Sequence, residues 1–387
     1  VPLRRLFLLV AAVVLVDTMF YAAITPLLPH YADELDLSKS AAGVLSASYA
    51  VGTLVGSLPA GWLAVRAGVK PTILSGLALL AGSSLVFGFA EHVALLDGAR
   101  LVQGIGGACS WAGGLAWLVA AAPSDRRGGL IGSALAAAIA GVLLGPVLGG
   151  AATVLSPAAV FTGVSALGLV LFAWAWSTPG VEPDEEPSLR SLAASLRRPD
   201  VLAGFWLVAL PALFTGTVNV LAPLRLHHLG ASGVAVGAVF LVAAAAEASL
   251  SPVLGRVSDR RGRLVPIRIG LVGTAVAALL LPLPGAVVPL ALLVVLAAAA
   301  LAGFWAPAMA LLSDAAERAG VEQGFAFALT NLAWAGGQVT GGAAGGSVAQ
   351  ATADAIPYAV LALACLATLA AVALRRRYFA RTRVFTP

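Results

Sequence analysis

Two octapeptides half a chain apart, Gly61-Trp62-Leu63-Ala64-Val65-Arg66-Ala67-Gly68 and Gly255-Arg256-Val257-Ser258-Asp259-Arg260-Arg261-Gly262, repeat one another, and each closes an apolar segment. The likeness extends backwards, since Gly43 and Gly61 have the spacing of Gly237 and Gly255, with Pro26 and Pro223 at matching places ahead of them. A second echo joins Gly141-Val142-Leu143-Leu144-Gly145-Pro146-Val147-Leu148-Gly149-Gly150 to Gly337-Gln338-Val339-Thr340-Gly341-Gly342-Ala343-Ala344-Gly345-Gly346. The chain is therefore a tandem duplication, and any fold it adopts has to be built twice from one unit.

The unit is a membrane unit. Hydrophobic residues make up 60% of the 387 positions and charged residues 11%, where a soluble domain carries about a quarter. Apolar runs near 20 residues, the length that crosses a bilayer core of about 30 Å, lie at 6–29, 41–65, 72–90, 93–120, 129–154 and 157–178, and again at 200–225, 234–256, 265–284, 286–312, 323–350 and 354–374. The expected fold is all-α and integral to the membrane, with twelve transmembrane helices in two pseudo-symmetric bundles of six. Residues 1–178 form the first bundle and 200–387 the second, which ends in a basic tail. Between them, 179–199 break the apolar pattern with Pro179, Glu182, Pro183, Asp184, Glu185, Glu186 and Pro187, and form a cytoplasmic linker.

The net charge of +5 reports topology. Cytoplasmic loops retain Lys and Arg, and placing both termini inside puts Arg4, Arg5, Arg66, Lys70, Arg126, Arg127, Arg197, Arg198, Arg260, Arg261, Arg263, Arg318 and the tail arginines on that side. Lys39, Arg100 and Arg225 are left for the other side or the membrane. A nucleic-acid partner is not expected; the lipid bilayer is. Arg4 and Arg5 before an apolar run imitate a secretory signal, but no small-x-small cleavage site follows, so the run reads as the retained first span. Few lysines beside abundant Ala, Gly and Arg suggest a GC-rich bacterial genome, hence a bacterial cytoplasmic membrane. Cys109 and Cys365 both fall inside spans and support neither a disulfide framework nor a metal site. Walker loop, metal-ligand spacing and nucleophile elbow are all missing, so no cofactor is expected, no enzyme, and the energy source is an ion gradient.

Three motifs give the chain a family resemblance. Gly61, Leu63, Ala64, Arg66, Gly68 and Lys70 match the loop pattern Gly-x-Leu-Ala-Asp-Arg-x-Gly-Arg-Lys between spans 2 and 3, with Val65 in place of the acid; the copy between spans 8 and 9 keeps it as Asp259 beside Arg260. In span 4, Arg100-Leu101-Val102-Gln103-Gly104-Ile105-Gly106 matches Arg-x-x-Gln-Gly-x-Gly in full. In span 5, Gly141, Gly145, Pro146, Gly149 and Gly150 match an antiporter signature at every defining position. The chain resembles, over essentially its whole length, a major facilitator superfamily transporter of the twelve-helix drug:proton antiporter type. The resemblance implies that Arg66, Asp259 and Arg260 act in the cytoplasmic gate, that Arg100, Gln103 and Gly104 serve proton transfer or gating, and that the span 5 motif is a hinge. Physically, glycines every fourth residue make a bare stripe for close helix approach, and Pro146 removes a backbone hydrogen bond and bends its helix. Snorkelling to the nearby interface is the competing account of Arg100.

Asp17 is the other intramembrane charge of the first half. At 1.5 Å per residue it sits roughly 17 Å into a core of about 30 Å, where a carboxylate has to find a cation or hold a proton. Tyr21 shares its helical face and can flank a cationic group. Asp17 is expected to be the substrate or proton site, with a structural acid as the alternative. Glu247 is the lone acid within a span of the second half, expected to take part in proton exchange or else to pair with a loop arginine such as Arg256. Asn219, Asn331, Gln338 and Gln103 are candidates for cavity hydrogen bonds, with Phe214, Trp305 and Trp334 as walls. His227 and His228 close span 7 at the outer interface.

The resulting expectation is a monomeric secondary transporter, exporting small amphipathic or cationic organic molecules in exchange for protons by alternating access. A transporter of a neutral metabolite such as a sugar, or a non-transporting receptor on the same fold, remains the alternative.

Overall fold

The structure is a computed structural model that describes residues 3–123, 127–180, 197–319 and 323–382. The first pass is α1 (Leu3–Ala22) continued by α2 (Ile24–Glu34). The two meet at Ala23, whose N–H reaches back to both Met19 and Phe20 carbonyls at 3.1 and 3.3 Å. Pro26, three residues on, has no N–H to offer Ala22, and the helix loosens there. Then come α3 (Lys39–Arg66), α4 (Val69–Gly88), α5 (Val93–Ala121), α6 (Arg127–Val154) and α7 (Pro157–Ser177). The second half follows with α8 (Pro199–His228), α9 (Gly233–Arg261), α10 (Leu264–Leu280), α11 (Val287–Leu301), α12 (Trp305–Arg318), α13 (Gln323–Val339), a π-helical segment Thr340–Ala344, α14 (Gly345–Ala351) and α15 (Ala355–Thr382). α11 and α12 make one pass interrupted at Ala302–Phe304, and α13, the π segment and α14 make another, which gives the twelve expected passes. Nine described helical spans are long and apolar enough to cross a bilayer, with Leu264–Leu280 and Val287–Leu301 shorter but apolar.

The sequence repeat has a backbone meaning. Gly68 and Gly262, which end the two octapeptides, hold φ of +94° and +88°, a region open to glycine and strained for other residues. Ser38 and Ser232 cap α3 and α9 in the same way, accepting from Ala41 N and Ala235 N. The span 5 stripe and its echo also pack alike. Gly141, Gly145 and Gly149 lie against the α1–α2 backbone from Leu15 to Ala23, and Gly337, Gly341 and Gly345 against α8 from Ala209 to Thr217. At the centre of the first stripe Pro146 breaks the hydrogen-bond ladder; the second has no proline and breaks it by widening into the π segment, a known device of bent helices.

One end of the molecule is sealed. There Gly43 meets Gly342 and Gly346, while Gly237 meets the Pro146 carbonyl and Gly233 meets Thr153. Lys39 N donates to Gln350 Oε1 at 3.0 Å, and Ser40 and Ser347 share a hydrogen bond of 2.8 Å. Among the described residues, two ion pairs join the part before residue 180 to the part after 197, Lys39–Asp354 and Asp33–His227, and both are at this end. At the other end the pairs Arg198–Asp200, Arg318–Asp200 and Arg263–Asp314 stay among the later helices. The buried core divides accordingly. A cluster running from Phe20, Leu27 and Phe87 to Phe214, Leu312 and Cys365 is continuous, whereas Leu6, Val10, Ile73, Trp117 and Leu171 form a separate cluster among the early helices alone. The expected linker 179–199 falls mostly on 181–196, and the tail arginines on side chains beyond 374; both lie outside the described residues.

Candidate functional site

Asp17 is fully buried on α1. The Tyr49 hydroxyl, from α3, donates to Oδ1 and Oδ2 at 3.0 and 2.9 Å, and the Trp111 indole N–H, from α5, donates to Oδ2 at 3.0 Å. Three helices thus converge on one carboxylate. Room for this comes from glycine: a Cβ on Gly107 would run into the Tyr49 hydroxyl and Asp17, and one on Gly104 into the Tyr49 carbonyl. The Arg-x-x-Gln-Gly-x-Gly motif therefore also brings α5 close enough to α3 to set Tyr49 in place.

Arg100 is 1% exposed, which corrects the snorkelling alternative. Its guanidinium donates to the carbonyls of Phe20 (3.4 Å) and Tyr21 (3.3 Å) and to Gln103 Oε1 (3.4 Å). These carbonyls border the loosened turn at Ala23, so the bend before Pro26 supplies acceptors for the arginine. The guanidinium carbon also lies 5.1 Å from the Tyr49 ring centroid and 5.9 Å from that of Phe20. Arg100 and Asp17 form no direct ion pair; Tyr49 touches both.

Tyr21 does not flank Asp17 directly, as its shared face suggested. Its ring packs 5.0 Å from Tyr49 and 5.2 Å from Trp334, and Asn219 and Gln338 are its polar side-chain neighbours. Gln338 in turn donates to Thr215 Oγ1 at 2.8 Å. Tyr21, Asn219, Gln338 and Trp334 therefore form one cluster that carries the site from α1 to α8 and α13. Asn331 is half-buried two turns away from Gln338 on α13. Phe214 is 1% exposed and belongs to the continuous core cluster.

Glu247 is half-buried on α9, and among the described residues its carboxylate makes no hydrogen bond or ion pair. The expected alternative partner, Arg256, is exposed and donates instead to the Pro252 carbonyl at 3.3 Å. Arg66 is exposed, its guanidinium 5.5 Å from the Trp62 ring, and Arg260 is exposed as well. The Asp259 side chain lies outside the described residues. Lys70 caps α7, donating to the Trp176 carbonyl at 2.7 Å, which suits a cation at a helix C-terminus. Gly150 faces Val234 of α9, so the end of the span 5 motif takes part in the sealed contact.

The sequence pointed to Asp17 and Arg100 and missed Tyr49 and Trp111, which hold Asp17. The available signal was an aromatic ring with a polar tip inside an apolar span, since a buried hydroxyl or indole N–H needs an acceptor. A buried carboxylate with two neutral donors, an arginine one ring away and a half-buried aromatic wall can take up a proton or an organic cation.

A family model described as Major Facilitator Superfamily matches residues 10–220 and 204–385. The MFS-type transporter YcaD of Shigella flexneri is 27% identical over 274 residues, 69% of either chain. The MFS-type transporter ppzB of Metarhizium majus is 33% identical over 140 residues, 35% of this chain and 30% of that relative. The crystal structure of a bacterial homologue of the human lysosomal transporter Spinster superposes with a TM-score of 0.76 at 16% identity, covering 99% of this chain and 98% of the other.

Proposed function

The chain belongs to the Major Facilitator Superfamily and is a membrane transporter of that family; from that premise we propose that it exports small amphipathic or cationic organic molecules in exchange for protons. The observation that carries this reading is Asp17, wholly buried and bonded by Tyr49 and Trp111 without a direct cationic partner. An ionisable group inside a membrane is costly and marks a substrate or ion pathway. A carboxylate there offers one anionic place for which a proton and a cationic cargo compete. Linkage then makes cargo binding release a proton, and a proton displace the cargo.

In the proposed cycle the units 1–178 and 200–387, joined through 179–199, rock about this level. The sealed end faces the outside and the termini face the cytoplasm, in a bacterial cytoplasmic membrane, with the monomer as the working unit. The helix stripes Gly141–Gly149 and Gly337–Gly345 act as the sliding seams, which their bare faces against α1 and α8 support. Arg100 and Gln103 set the geometry of Tyr49 and the α1 bend, and Tyr21, Asn219 and Asn331 contribute polar contacts to cargo. Glu247, without a hydrogen bond or ion pair among the described residues, is a second acidic group for the path.

The test is reconstitution in liposomes with a panel of lipophilic cations and neutral antibiotics. Cations are expected to release protons on binding and to move against an imposed pH gradient, and Asp17→Asn to abolish both. Flux of neutral compounds without proton movement would replace this reading with a facilitator.

A further inference from the structure

His227 ends α8 with its ring held from both sides. Nδ1 lies 3.1 Å from the Ala231 carbonyl oxygen and Nε2 lies 2.7 Å from Asp33 Oδ2. A carbonyl only accepts, and an ionised carboxylate only accepts, while a neutral imidazole carries a single N–H. Neutral His227 opposite ionised Asp33 therefore leaves one of these two contacts without a hydrogen. An imidazolium fills both, and so does a neutral imidazole whose Nε2 accepts from a protonated Asp33. Either way the pair holds one proton more than its dissociated form.

We infer that Asp33 and His227 form a proton-binding site at the sealed end, separate from Asp17, whose occupation favours the sealed state. Asp33 belongs to α2 and His227 to α8, so the pair exists only while the two halves meet. A ligand that binds one conformation better shifts the population towards it, and here the ligand is a proton from the water at that end. The His227 and Asp33 side chains are 37% and 69% exposed, respectively, so that proton needs no path through the membrane. Histidine is the side chain whose charge ordinarily changes between pH 5 and 8.

The charged surroundings come from few elements. On α2, His30 and Glu34 pair with each other at 3.1 Å, and Asp36 follows in the turn to α3. On its own helix His227 has Arg225 and His228, and Arg225 points to the Pro284 carbonyl and to Asp354. Asp354, before α15, is shared with Lys39. The first three turns of α9 carry no titratable side chain. Asp33 is thus the acid that meets the His227 ring, and Lys39–Asp354 is a second contact that holds the sealed end when the proton leaves. The proton site modulates the seal instead of being its sole fastening.

The test uses purified full-length protein in detergent, where both ends meet one pH. Spin labels are placed on the exposed turns of the sealed end through Glu91→Cys in the first half and Gly285→Cys in the second, in a Cys109→Ala, Cys365→Ala background. Pulsed dipolar spectroscopy then measures the distance distribution from pH 5 to pH 8.5. The short-distance population is expected to fall as pH rises, its ratio to the long one changing about two- to five-fold, the scale of one exposed ion pair. His227→Gln and Asp33→Asn are each expected to flatten that dependence in a monodisperse protein, while Asp17→Asn leaves it intact. A distribution indifferent to pH, or a dependence that survives His227→Gln, overturns the proposal. Loss of the dependence in Asp17→Asn alone would move the effect to the central site and also overturn it. None of these outcomes depends on whether the cargo is a cation.

Discussion

The Tyr49 hydroxyl bonds both oxygens of Asp17, at 3.0 and 2.9 Å, while its ring lies against the Arg100 guanidinium, 5.1 Å from ring centroid to guanidinium carbon. On the proposed function, the tyrosine competes with a cationic cargo for the Asp17 carboxylate. Its removal by Tyr49→Phe leaves the carboxylate with Trp111 alone. Hydrogen bonds to charged groups are worth about 1.5–3 kcal/mol, so a lipophilic cation is expected to bind about ten-fold more tightly to Tyr49→Phe at pH 8. Isothermal titration in detergent measures this. Weaker binding would show that Tyr49 assists the cargo instead of competing with it.

The glycines of the repeat separate by what surrounds them. Gly61 and Gly255 have open space where a Cβ would go, Gly68 has space but a φ of +94°, and Gly104 faces the Tyr49 carbonyl. Thermal unfolding is expected to find Gly61→Ala unchanged or up by about 0.5 kcal/mol, since glycine weakens a helix interior. Gly68→Ala should cost about 1–3 kcal/mol, the range for backbone strain in a glycine-only region. Gly104→Ala should lose the most, because backbone has to move. Equal effects at Gly61 and Gly68 would contradict the assignment of Gly68 to the turn.

What the sequence disclosed and what it withheld divide along physical lines. Asp17 and Arg100 stand out because a charge in an apolar run is costly and calls for a buried partner, a task or, for Arg100, a route to the interface. Tyr49 and Trp111 do not stand out, because an aromatic in a transmembrane span reads as packing until another helix is known to present an acceptor. Phe214 has the chemistry of a cavity wall, but its burial in the continuous core depends on which face of α8 turns inward, and that is a property of the neighbouring helices. The twelve passes and the duplicated unit were legible because period, length and Gly–Pro placement are local properties. The π segment was not, because the echo Gly341-Gly342 of Gly145-Pro146 says that the ladder has to yield there and not by which route.

Lys39 and Asp354 fasten the sealed end across the halves, and Arg225 leans on the same carboxylate at 3.9 Å. Lys39→Gln removes the cross-half charge and leaves Arg225 in place. The expected result is a shift of about 1 kcal/mol or less towards the open form, a factor of about five at most, read as a larger long-distance population between labels on the turns at Glu91 and Gly285. Arg225→Gln, whose partners Pro284 and Asp354 are both in the later helices, is expected to change stability with little effect on that population. The reverse order would show that Arg225 carries the seal.

Arg100 donates to two main-chain carbonyls beside the α1 bend and to Gln103, and faces two rings. That set needs a planar fork of donors, which an ammonium does not provide. Arg100→Lys keeps the charge and is expected to lose most transport, by ten-fold or more, while cation binding at Asp17 changes less, because the carboxylate keeps its bonds from Tyr49 and Trp111. Arg100→Ala is expected to lose folded protein as well, since the carbonyls of Phe20 and Tyr21 would each lose a donor in a buried place. Side-by-side measurement of binding, flux and thermal unfolding for the two variants separates the roles. If Arg100→Lys transports at the native rate, the charge alone matters and the fork geometry around the Ala23 turn has no part in the cycle.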